Sequence, residues 1–435
     1  MISELLEILK SNENIYAWNF KVDTINSYQL YFIKQKLDMN REVKVNEYKI
    51  NIFTLEEKNN KKMIGSSSFE IYPSMSIDEV KEKINEQIKL CKFSLNKPYA
   101  FPKKVNLKPI SKERGFSGHS LKEAAFIAAD ALFEADKFDK GYINSSEIYI
   151  NFIETRFFDS NGNIFLYTKE KGEIELVATW REKQEEVEIY KYFEIDNLDT
   201  LFIQNEATKT LIEASNRIKA VKTPNIANVK VLLTGDYVKE YFYHFASKAK
   251  TDNIYENLST AKIGENIQVR CKDADKISIR LEPTLKNSTY GASFDNEGIG
   301  LKRLQIIDKG VIKNMWGSNA KSQYIKKQVN GTYSNFVVSA GTLTKQDLED
   351  ENYLEVIALS GFDIDTLTGD FGSEIRLAYL HQKNKESIIV TGGSISGNVY
   401  SSLNTVRFNN ETKQMNNYIG PINVLLDNVS INGGE

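Results

Sequence analysis

The feature of this sequence that most constrains its fold is a change in hydrophobic periodicity near residue 225. Before that point, segments with the 3.6-residue period of an amphipathic helix alternate with segments in which apolar and polar residues take turns, as they do in a half-buried strand. Beyond about residue 260, short apolar runs are separated by glycine, asparagine and aspartate. The pattern predicts an α+β fold, with a mixed helix and sheet domain at residues 1–225 and a β-rich domain at residues 226–435.

Local signals define helices and strands in the first half. Ser76 and Ser120 are each followed three residues later by a glutamate, a capping-box pattern that satisfies two free backbone N–H groups at a helix start. Ile148–Phe158 alternates as a strand does. The Asp159–Asn163 segment that follows contains an Asn-Gly pair, which accepts positive φ at both central positions of a hairpin turn. We therefore expect helices and antiparallel strands to be interleaved here.

Two helices flank the change in periodicity. Thr200–Val221 has a helical pattern that Pro224 is expected to end. Val229–Leu233 is typical of a buried strand, and Asp236–Lys250 is predicted to be a helix. The predicted apolar face of the first helix consists of Leu201, Ala207, Leu211, Ile212, Ser215 and Ile218. Short strands are then predicted at Ile267–Val269, Lys276–Arg280, Leu354–Ala358, Ile388–Val390 and Ile422–Leu426.

Charge and cysteine content narrow the class of protein. The 56 lysines and arginines nearly balance the 59 aspartates and glutamates, and a net charge of −3 gives no general attraction to nucleic acid or to an anionic membrane. Cys91 and Cys271 lie far apart and do not form a disulfide framework, which favours a reducing compartment. Met1–Lys10 lacks the features of a signal peptide, and no apolar run reaches the roughly 18 residues of a membrane span. We expect a cytoplasmic protein without nucleic acid or membrane partners.

Four motifs occur in order along the chain. Asp159–Phe165 is a strand and turn segment, and Phe294–Gly298 is followed by Ile306–Lys313. Thr368–Gly372 reads Thr-Gly-Asp-Phe-Gly, and Ile389–Asn398 closes on Gly-Asn. In this order and spacing the motifs resemble those of the TldD/PmbA family of proposed zinc peptidases, historically called modulators of DNA gyrase. The last motif lacks the proline of the family pattern.

The resemblance implies both a fold and a set of partners. It implies an α+β N-terminal domain, a β-rich C-terminal domain and dimers that enclose an inner cavity. It also implies partnership with a zinc-bearing TldD-type chain that cleaves short or unfolded peptides. The motif positions that could line a peptide cleft are Phe294, Asp295, Glu297, Gly298, Thr368, Gly369, Asp370 and Phe371.

The zinc motif of the family is degenerate in this chain. In the TldD branch, a helix that follows a strand carries His-Glu-x-x-x-His, and a downstream cysteine is thought to complete the site. The matching positions here are Thr234, Gly235 and Lys239, and no cysteine follows Cys271. A charged lysine repels zinc and a glycine cannot act as a base. The resemblance therefore implies a TldE/PmbA-like chain with no metal, no cofactor and no catalytic residues, inactive by itself although it belongs to a peptidase family.

The remaining histidines do not supply a substitute metal site. The chain contains only His119, His244 and His381, without the paired spacing of zinc ligands. His244, between two aromatic residues, is predicted to be a core or interface residue, His119 a loop or cap residue and His381 an exposed one. A calcium-loop pattern from Asp363 lacks a ligand and a correctly placed glycine, and Gly392–Gly397 lacks the Lys-Ser/Thr pair of a phosphate loop.

Three functional hypotheses remain. The favoured one is a TldE/PmbA-like subunit, in a homodimer or in a hetero-oligomer with a TldD-type zinc peptidase, that binds peptide substrate. The second is a homodimeric peptide-binding or scaffold protein that acts alone. The third is a hydrolase that uses acidic residues such as Asp236 and Glu240 beside Lys239. A neighbouring gene that encodes His-Glu-x-x-x-His would favour the first.

Overall fold

The structure of the chain is a computed structural model that describes residues 1–107, 110–111, 115–116, 118–269 and 274–434. Cys271, the last cysteine of the sequence, lies outside these residues. Helices and strands both occur throughout the described chain, and the prediction of an α+β fold is confirmed. None of the helices in the described ranges is long and apolar enough to cross a membrane.

The first half builds one sheet, with helices on one of its faces. Its strands follow the order β4-β3-β2-β1-β6-β7-β5, and β8 pairs with β7. Among the pairings of this sheet that the described residues form, only the short β5–β7 pairing is parallel. In chain order the elements are α1 (Ile2–Ser11), β1 (Ala17–Ile33), β2 (Lys36–Lys58), β3 (Lys61–Ile71), α2 (Ile77–Cys91), β4 (Leu95–Asn96), β5 (Ile110–Ser111), α3 (Leu121–Phe133), β6 (Gly141–Asp159), β7 (Ile164–Glu182), β8 (Glu185–Ile195) and α4 (Thr200–Ile218).

The two faces of this sheet differ in chemistry, because successive side chains of a strand point to opposite sides. The face packed against the helices is apolar and buried, and it carries Phe20, Val22, Ile50, Ile52, Ile148, Ile150, Ile174 and Leu176. The opposite face is polar, and it carries Lys21, Asp23, Asn151, Thr155, Lys169 and Lys171. Burial of the first face provides the hydrophobic stabilisation of the sheet.

The second half builds two sheets around a common core. One follows the order β15-β10-β22-β18-β16-β17-β9, and pairing between β15 and β16 closes a ring of five strands. The other follows the order β13-β12-β11-β14-β21-β20. The elements are β9 (Val221–Lys222), β10 (Ile226–Thr234), α5 (Asp236–Lys248), α6 (Thr251–Tyr255), β11 (Ile279–Glu282), β12 (Leu304–Asp308), β13 (Val311–Ile312), α7 (Asn319–Tyr324), β14 (Asn335–Val338), α8 (Lys345–Glu349), β15 (Tyr353–Leu359), β16 (Asp370–His381), β17 (Ile388–Thr391), β18 (Ser394–Asn398), α9 (Val399–Ser402), β19 (Arg407–Phe408), β20 (Lys413–Met415), β21 (Tyr418–Gly420) and β22 (Asn423–Asn432).

Helix α5 occupies the centre of the second half. It enters the core between the two sheets and contributes several of its largest buried side chains. Tyr241, Phe242 and Phe245 are almost fully buried, and the Phe242 ring contacts both Phe408 and Tyr418. The helix is therefore held on more than one side, and the residues at its start have fixed surroundings.

Several element boundaries differ from the sequence prediction. The capping boxes at Ser76 and Ser120 are confirmed, with both reciprocal hydrogen bonds present in each. Helix α4 ends at Ile218 rather than near Pro224, because the chain leaves the helix to pair β9 with β17. The predicted strand at Ile267–Val269 is wrong: only a single bridge, from Asn266 to Val311, forms beside it.

Candidate functional site

The positions predicted to be a degenerate zinc motif lie where strand β10 passes into helix α5. Thr234 is the last residue of the strand, and its hydroxyl donates a hydrogen bond of 2.7 Å to the carbonyl of Val356. Gly235 adopts a φ of +57° and its N–H donates to the carbonyl of Ile422. A positive φ favours glycine, since it has no Cβ. Thr234 and Gly235 therefore have structural roles in the turn that starts the helix.

The side chains at these positions do not fit a zinc ion. Thr234 offers a hydroxyl that is already used as a donor, Gly235 offers no side chain, and Lys239 brings a positive charge to the first turn of α5. Zinc sites in proteins use thiolate, imidazole and carboxylate groups. Across the described ranges, no cluster of three or more His, Cys, Asp or Glu side chains could hold a metal ion.

The two C-terminal motifs come together next to α5. Strands β16 and β18 pair so that Asp370 lies opposite Asn398. The Asn398 amide donates 2.6 Å to the Asp370 carboxylate and 2.9 Å to the carbonyl of Thr368. The hydrogen bond from Asn398 holds the pKa of Asp370 below its usual value. Gly369 has a φ of +77°, and a Cβ there would lie 2.5 Å from the Tyr400 ring.

His244 links this motif pair to helix α5. Its side chain is 4% exposed, which confirms the prediction of a core histidine, and its Nε2 lies 3.0 Å from the Tyr400 hydroxyl. Burial lowers the pKa of His244 to about 4, and the charge of Lys248 acts in the same direction. A neutral, buried imidazole in this position packs and hydrogen-bonds within the core. His381 was predicted to be exposed but is half-buried, with its Nε2 2.8 Å from Glu355.

An aromatic chain connects Phe371 to the first turn of α5. The ring centroids of Phe371 and Phe362 are 5.4 Å apart, and those of Phe362 and Tyr237 are 5.7 Å apart. The Tyr237 hydroxyl accepts a hydrogen bond from the backbone N–H of Leu359. Thr368–Phe371 and the degenerate motif therefore belong to one packed region. Asp236 and Glu240, from the hydrolase hypothesis, are exposed.

The Phe294–Gly298 motif lies at the junction of the two halves. Phe294 packs against Phe157 and Phe165 of the first half, with ring centroids 5.7 and 4.8 Å away. The Asp295 carboxylate accepts hydrogen bonds from the backbone N–H groups of Ile299, Thr332 and Glu297, which fold the loop around it. Burial nevertheless raises the pKa of Asp295. The motif thus closes a buried loop against the first sheet.

Glu297 is the most perturbed carboxylate of this motif. Its Oε2 accepts a 2.7 Å hydrogen bond from the backbone N–H of Asn319, the first residue of α7. Burial raises the pKa of Glu297 to about 7. The negative charges of Asp295 and Asp252 also raise this pKa, whereas the hydrogen bond from Asn319 lowers it. The eight predicted cleft residues therefore fall into two groups, one packed on the first half and one beside α5.

The second half of the chain matches a known family. Residues 226–433 match the family model described as the PmbA/TldA metallopeptidase C-terminal domain. This half of the chain belongs to the TldD/PmbA family. A metalloprotease PmbA homologue of Buchnera aphidicola is 24% identical over 225 residues, which is 50% of this chain and 48% of that protein. An uncharacterised protein of Methanocaldococcus jannaschii is 26% identical over 39% of this chain and 42% of that protein. The alignments thus span about half or less of these relatives.

Solved structures resemble the chain over nearly its whole length. TldE of Thermococcus kodakarensis matches with a TM-score of 0.75 and 15% identity, over 99% of this chain and 100% of that chain. A proposed DNA gyrase modulator of Thermotoga maritima matches with a TM-score of 0.75 and 16% identity, over 95% of each chain. A similar protein of Bacteroides thetaiotaomicron matches with a TM-score of 0.76 and 18% identity, over 99% of this chain and 98% of that chain. At these identities the likeness concerns the fold.

One polar cluster of the chain was not predicted from the sequence. Glu194, at the end of β8, has a side chain only 5% exposed and pairs with Lys171 at 2.6 Å. It also accepts hydrogen bonds from Thr289 and Asn416 of the second half. A signal was present in the sequence, because Lys169, Lys171 and Glu173 occupy alternate positions of one strand and so share a face.

Proposed function

We propose that this chain is a TldE/PmbA-like, non-catalytic subunit of a TldD/TldE-type peptidase system for short or unfolded peptides. The observation that carries the proposal is the set of groups at the start of α5. Thr234 and Gly235 are committed to the turn, and Lys239 is a cation where the family motif has a second histidine. No hydrolytic step can be assigned to these groups. The chain would bind and enclose peptide while a TldD-type partner supplies the zinc.

The polar face of the first sheet supports a role in holding peptide. Extended peptides present backbone donors and acceptors together with side chains of either charge, so a wall of polar and charged groups suits them better than an apolar one. On this face Lys21 pairs with Asp23 at 2.9 Å, and Lys171 pairs with Glu173 at 2.9 Å. These pairs offset the charges of Lys21 and Lys171 on this face.

Co-purification from the native host and reconstitution test the proposal. We expect this chain alone to contain no stoichiometric zinc and to cleave no peptide. With a TldD-type chain of the same host, we expect a complex of defined mass that cleaves unfolded peptides. The matched control is the same complex with both motif histidines of the TldD-type chain replaced, which should assemble but not cleave. Stoichiometric zinc on this chain alone, with chelator-sensitive cleavage, would overturn the proposal.

The same experiment separates the two rival functions. A homodimer that binds peptide, from a host without a TldD-type chain, would favour a binding or scaffold protein that acts alone. Zinc-independent cleavage by this chain, lost on replacing Asp236 and Glu240 together, would favour a hydrolase. Equal cleavage before and after that double replacement would exclude these two carboxylates as catalytic groups.

A further inference from the structure

One edge of strand β2 lacks a neighbouring strand. Strand β3 pairs with β2 only from Tyr48 onward, so within the described residues the stretch before Tyr48 pairs with β1 alone. The register between β1 and β2 shifts between Leu37 and Met39, which marks a bulge at the other end of this stretch. The nine residues Met39–Glu47 therefore form a regular edge that presents backbone N–H and C=O groups outward, and no proline interrupts it.

The same stretch is apolar on the sheet face that lies opposite the helices. Met39, Val43 and Val45 occupy alternate positions of β2 and so share this face. Met39 is 46% exposed and Val45 is 36% exposed. Val45 lies opposite Ile25, which lies opposite Ile153, so an apolar row crosses three strands of the otherwise polar face. Alternation of this kind is typical of a half-buried strand, yet the described part of the chain leaves these apolar side chains partly open to solvent.

The charges along the edge are complementary to a second copy of the same edge. Because opposite residues of an antiparallel pair point to the same face, a self-paired strand must be centred on a residue. A centre at Val43 uses the whole of Met39–Glu47 and places Glu42 of each copy opposite Lys44 of the other. Centres at Arg41, Glu42 or Lys44 place like charges opposite each other, which destabilises a strand pair. Centres nearer either end use less of the stretch.

We propose that Met39–Glu47 pairs antiparallel with the same stretch of a second copy of this chain, with Val43 at the two-fold axis. The contact is isologous, so each favourable pair occurs twice. It joins two eight-stranded sheets into one, with the helices of both copies on the same side. It also brings the exposed apolar side chains of the two edges together on the other side. This inference goes beyond the proposed function, because it depends neither on peptide binding nor on a TldD-type partner.

Cysteine cross-linking of the full chain tests the register. The background is Cys271→Ser, since Cys91 is buried. Val43→Cys places two thiols opposite each other at the axis, within the range of a disulfide. The matched control is Val45→Cys, on the same face two residues away, where each thiol would lie opposite Arg41 of the other copy. We expect mild oxidation to give a covalent dimer with Val43→Cys and none with Val45→Cys, measured by non-reducing electrophoresis.

Charge reversal tests whether the Glu42–Lys44 pairs hold the two copies together. Both side chains are exposed, so their replacement should leave the fold intact. Glu42→Lys and Lys44→Glu each place like charges opposite each other at two symmetric positions, and should raise the Kd of the dimer roughly 10-fold or more. The double exchange Glu42→Lys with Lys44→Glu restores opposite charges and should restore the dimer. Sedimentation equilibrium measures the Kd, and Glu185→Lys in β8 is the control expected to leave it unchanged.

Three results would overturn self-pairing through this edge. The first is a monomer at every concentration measured. The second is a dimer that neither charge reversal weakens, or that Val45→Cys cross-links as well as Val43→Cys does, because the contact then lies elsewhere. The third is a monomer in which the amides of Met39–Glu47 become protected from hydrogen exchange only when a peptide or a TldD-type chain is added, because the edge then binds that occupant instead. The zinc and cleavage measurements test the proposed function separately.

Discussion

Gly298 illustrates how a single motif residue can be fixed by two separate constraints. Its φ is +84°, a region that costs a residue with a Cβ about 1–2 kcal/mol. A Cβ there would also lie 2.7 Å from the Phe157 ring of the first half. We expect Gly298→Ala to lower the free energy of unfolding by more than the backbone cost alone, measured by chemical denaturation.

Gly264 provides the control for that substitution. Its φ is +88°, but a Cβ there would meet no atom of the described residues within 4 Å. Gly264→Ala should therefore show only the backbone cost. Equal destabilisation by the two substitutions would mean that contact with Phe157 does not constrain Gly298.

The raised pKa of Glu297 predicts that the free energy of unfolding falls as the pH rises. Because its pKa is about 7 in the folded chain, above the 4.5 of an unperturbed glutamate, the folded state holds the proton more tightly than the unfolded state does. Its stabilising contribution is full below pH 4.5 and is lost as the pH rises to 7. Relative to Glu297→Gln, the intact chain should lose on the order of 3 kcal/mol across that window. Urea denaturation at a series of pH values measures the difference.

An exposed glutamate gives the reference for this pH profile. Glu386 lies on the surface of the turn before β17, and Glu386→Gln should reproduce the profile of the intact chain. If Glu297→Gln and Glu386→Gln have the same profile, Glu297 titrates as an ordinary carboxyl group and its burial has no effect on stability.

At the scale of residues, local signals were predictable and conformational detail was not. The capping boxes at Ser76 and Ser120 depend on four consecutive residues, so the sequence contains all the information needed. The Asn161-Gly162 turn was expected to have positive φ at both positions, but only Gly162 does. The Asp159 carboxylate accepts hydrogen bonds from the backbone N–H groups of Asn161 and Asn163, and this selects a different turn.

At the scale of elements, Asn398 joins two motifs and starts a helix. Its Oδ1 accepts hydrogen bonds from the N–H groups of Tyr400 and Ser401, while its amide nitrogen donates to Asp370 and Thr368. We expect Asn398→Ala to destabilise α9 by about 1 kcal/mol through loss of the cap, and to release β16 from β18. Hydrogen exchange at the Tyr400 amide and in β16 measures both effects.

The substitution Asn398→Asp separates the two roles of this side chain. An aspartate keeps the acceptor that caps α9 but loses the donor and places a second negative charge beside Asp370. Protection of the Tyr400 amide should survive while protection in β16 falls. Loss of both in Asn398→Asp would show that the cap and the strand pairing depend on each other.

The extent of elements was harder to predict than their existence. In the sequence, Ser27–Lys34 and Arg41–Leu55 have the pattern that predicts strands, yet strands β1 and β2 span 17 and 23 residues. Charged residues form ion pairs on the polar face of these strands. The alternation of apolar and polar residues that predicts a strand is therefore interrupted. The predicted apolar face of α4 was also partly wrong, because Leu201 is 63% exposed while Thr210 is buried. Helix α4 contacts strands of both halves, and a single apolar stripe does not describe two contact surfaces.

At the scale of the whole molecule, the sequence predicted the order of the motifs but not the contacts between them. Phe294 packs on Phe157 and Phe165, which lie far earlier in the chain, and the Thr368–Phe371 motif packs beside α5 instead. No local periodicity encodes such pairings, because they follow from how two separately formed sheets meet. The assignment of Thr234, Gly235 and Lys239 to a degenerate zinc motif stays a prediction, and it depends only on residue types along a single strand and helix.

A substitution at Glu194 tests whether the polar contacts between the two halves couple their stability. Its buried carboxylate pairs with Lys171 within the first half and accepts hydrogen bonds from Thr289 and Asn416 of the second. Removing one partner of a buried pair is costly, so Glu194→Ala should lower the free energy of unfolding by about 3 kcal/mol. Hydrogen exchange should also accelerate in the loop at residues 284–292, which Thr289 anchors. Glu186→Ala, which removes an exposed partner of Arg181, should leave that loop protected. If both variants leave it protected, the apolar contacts around Phe294 hold the halves together without the polar junction.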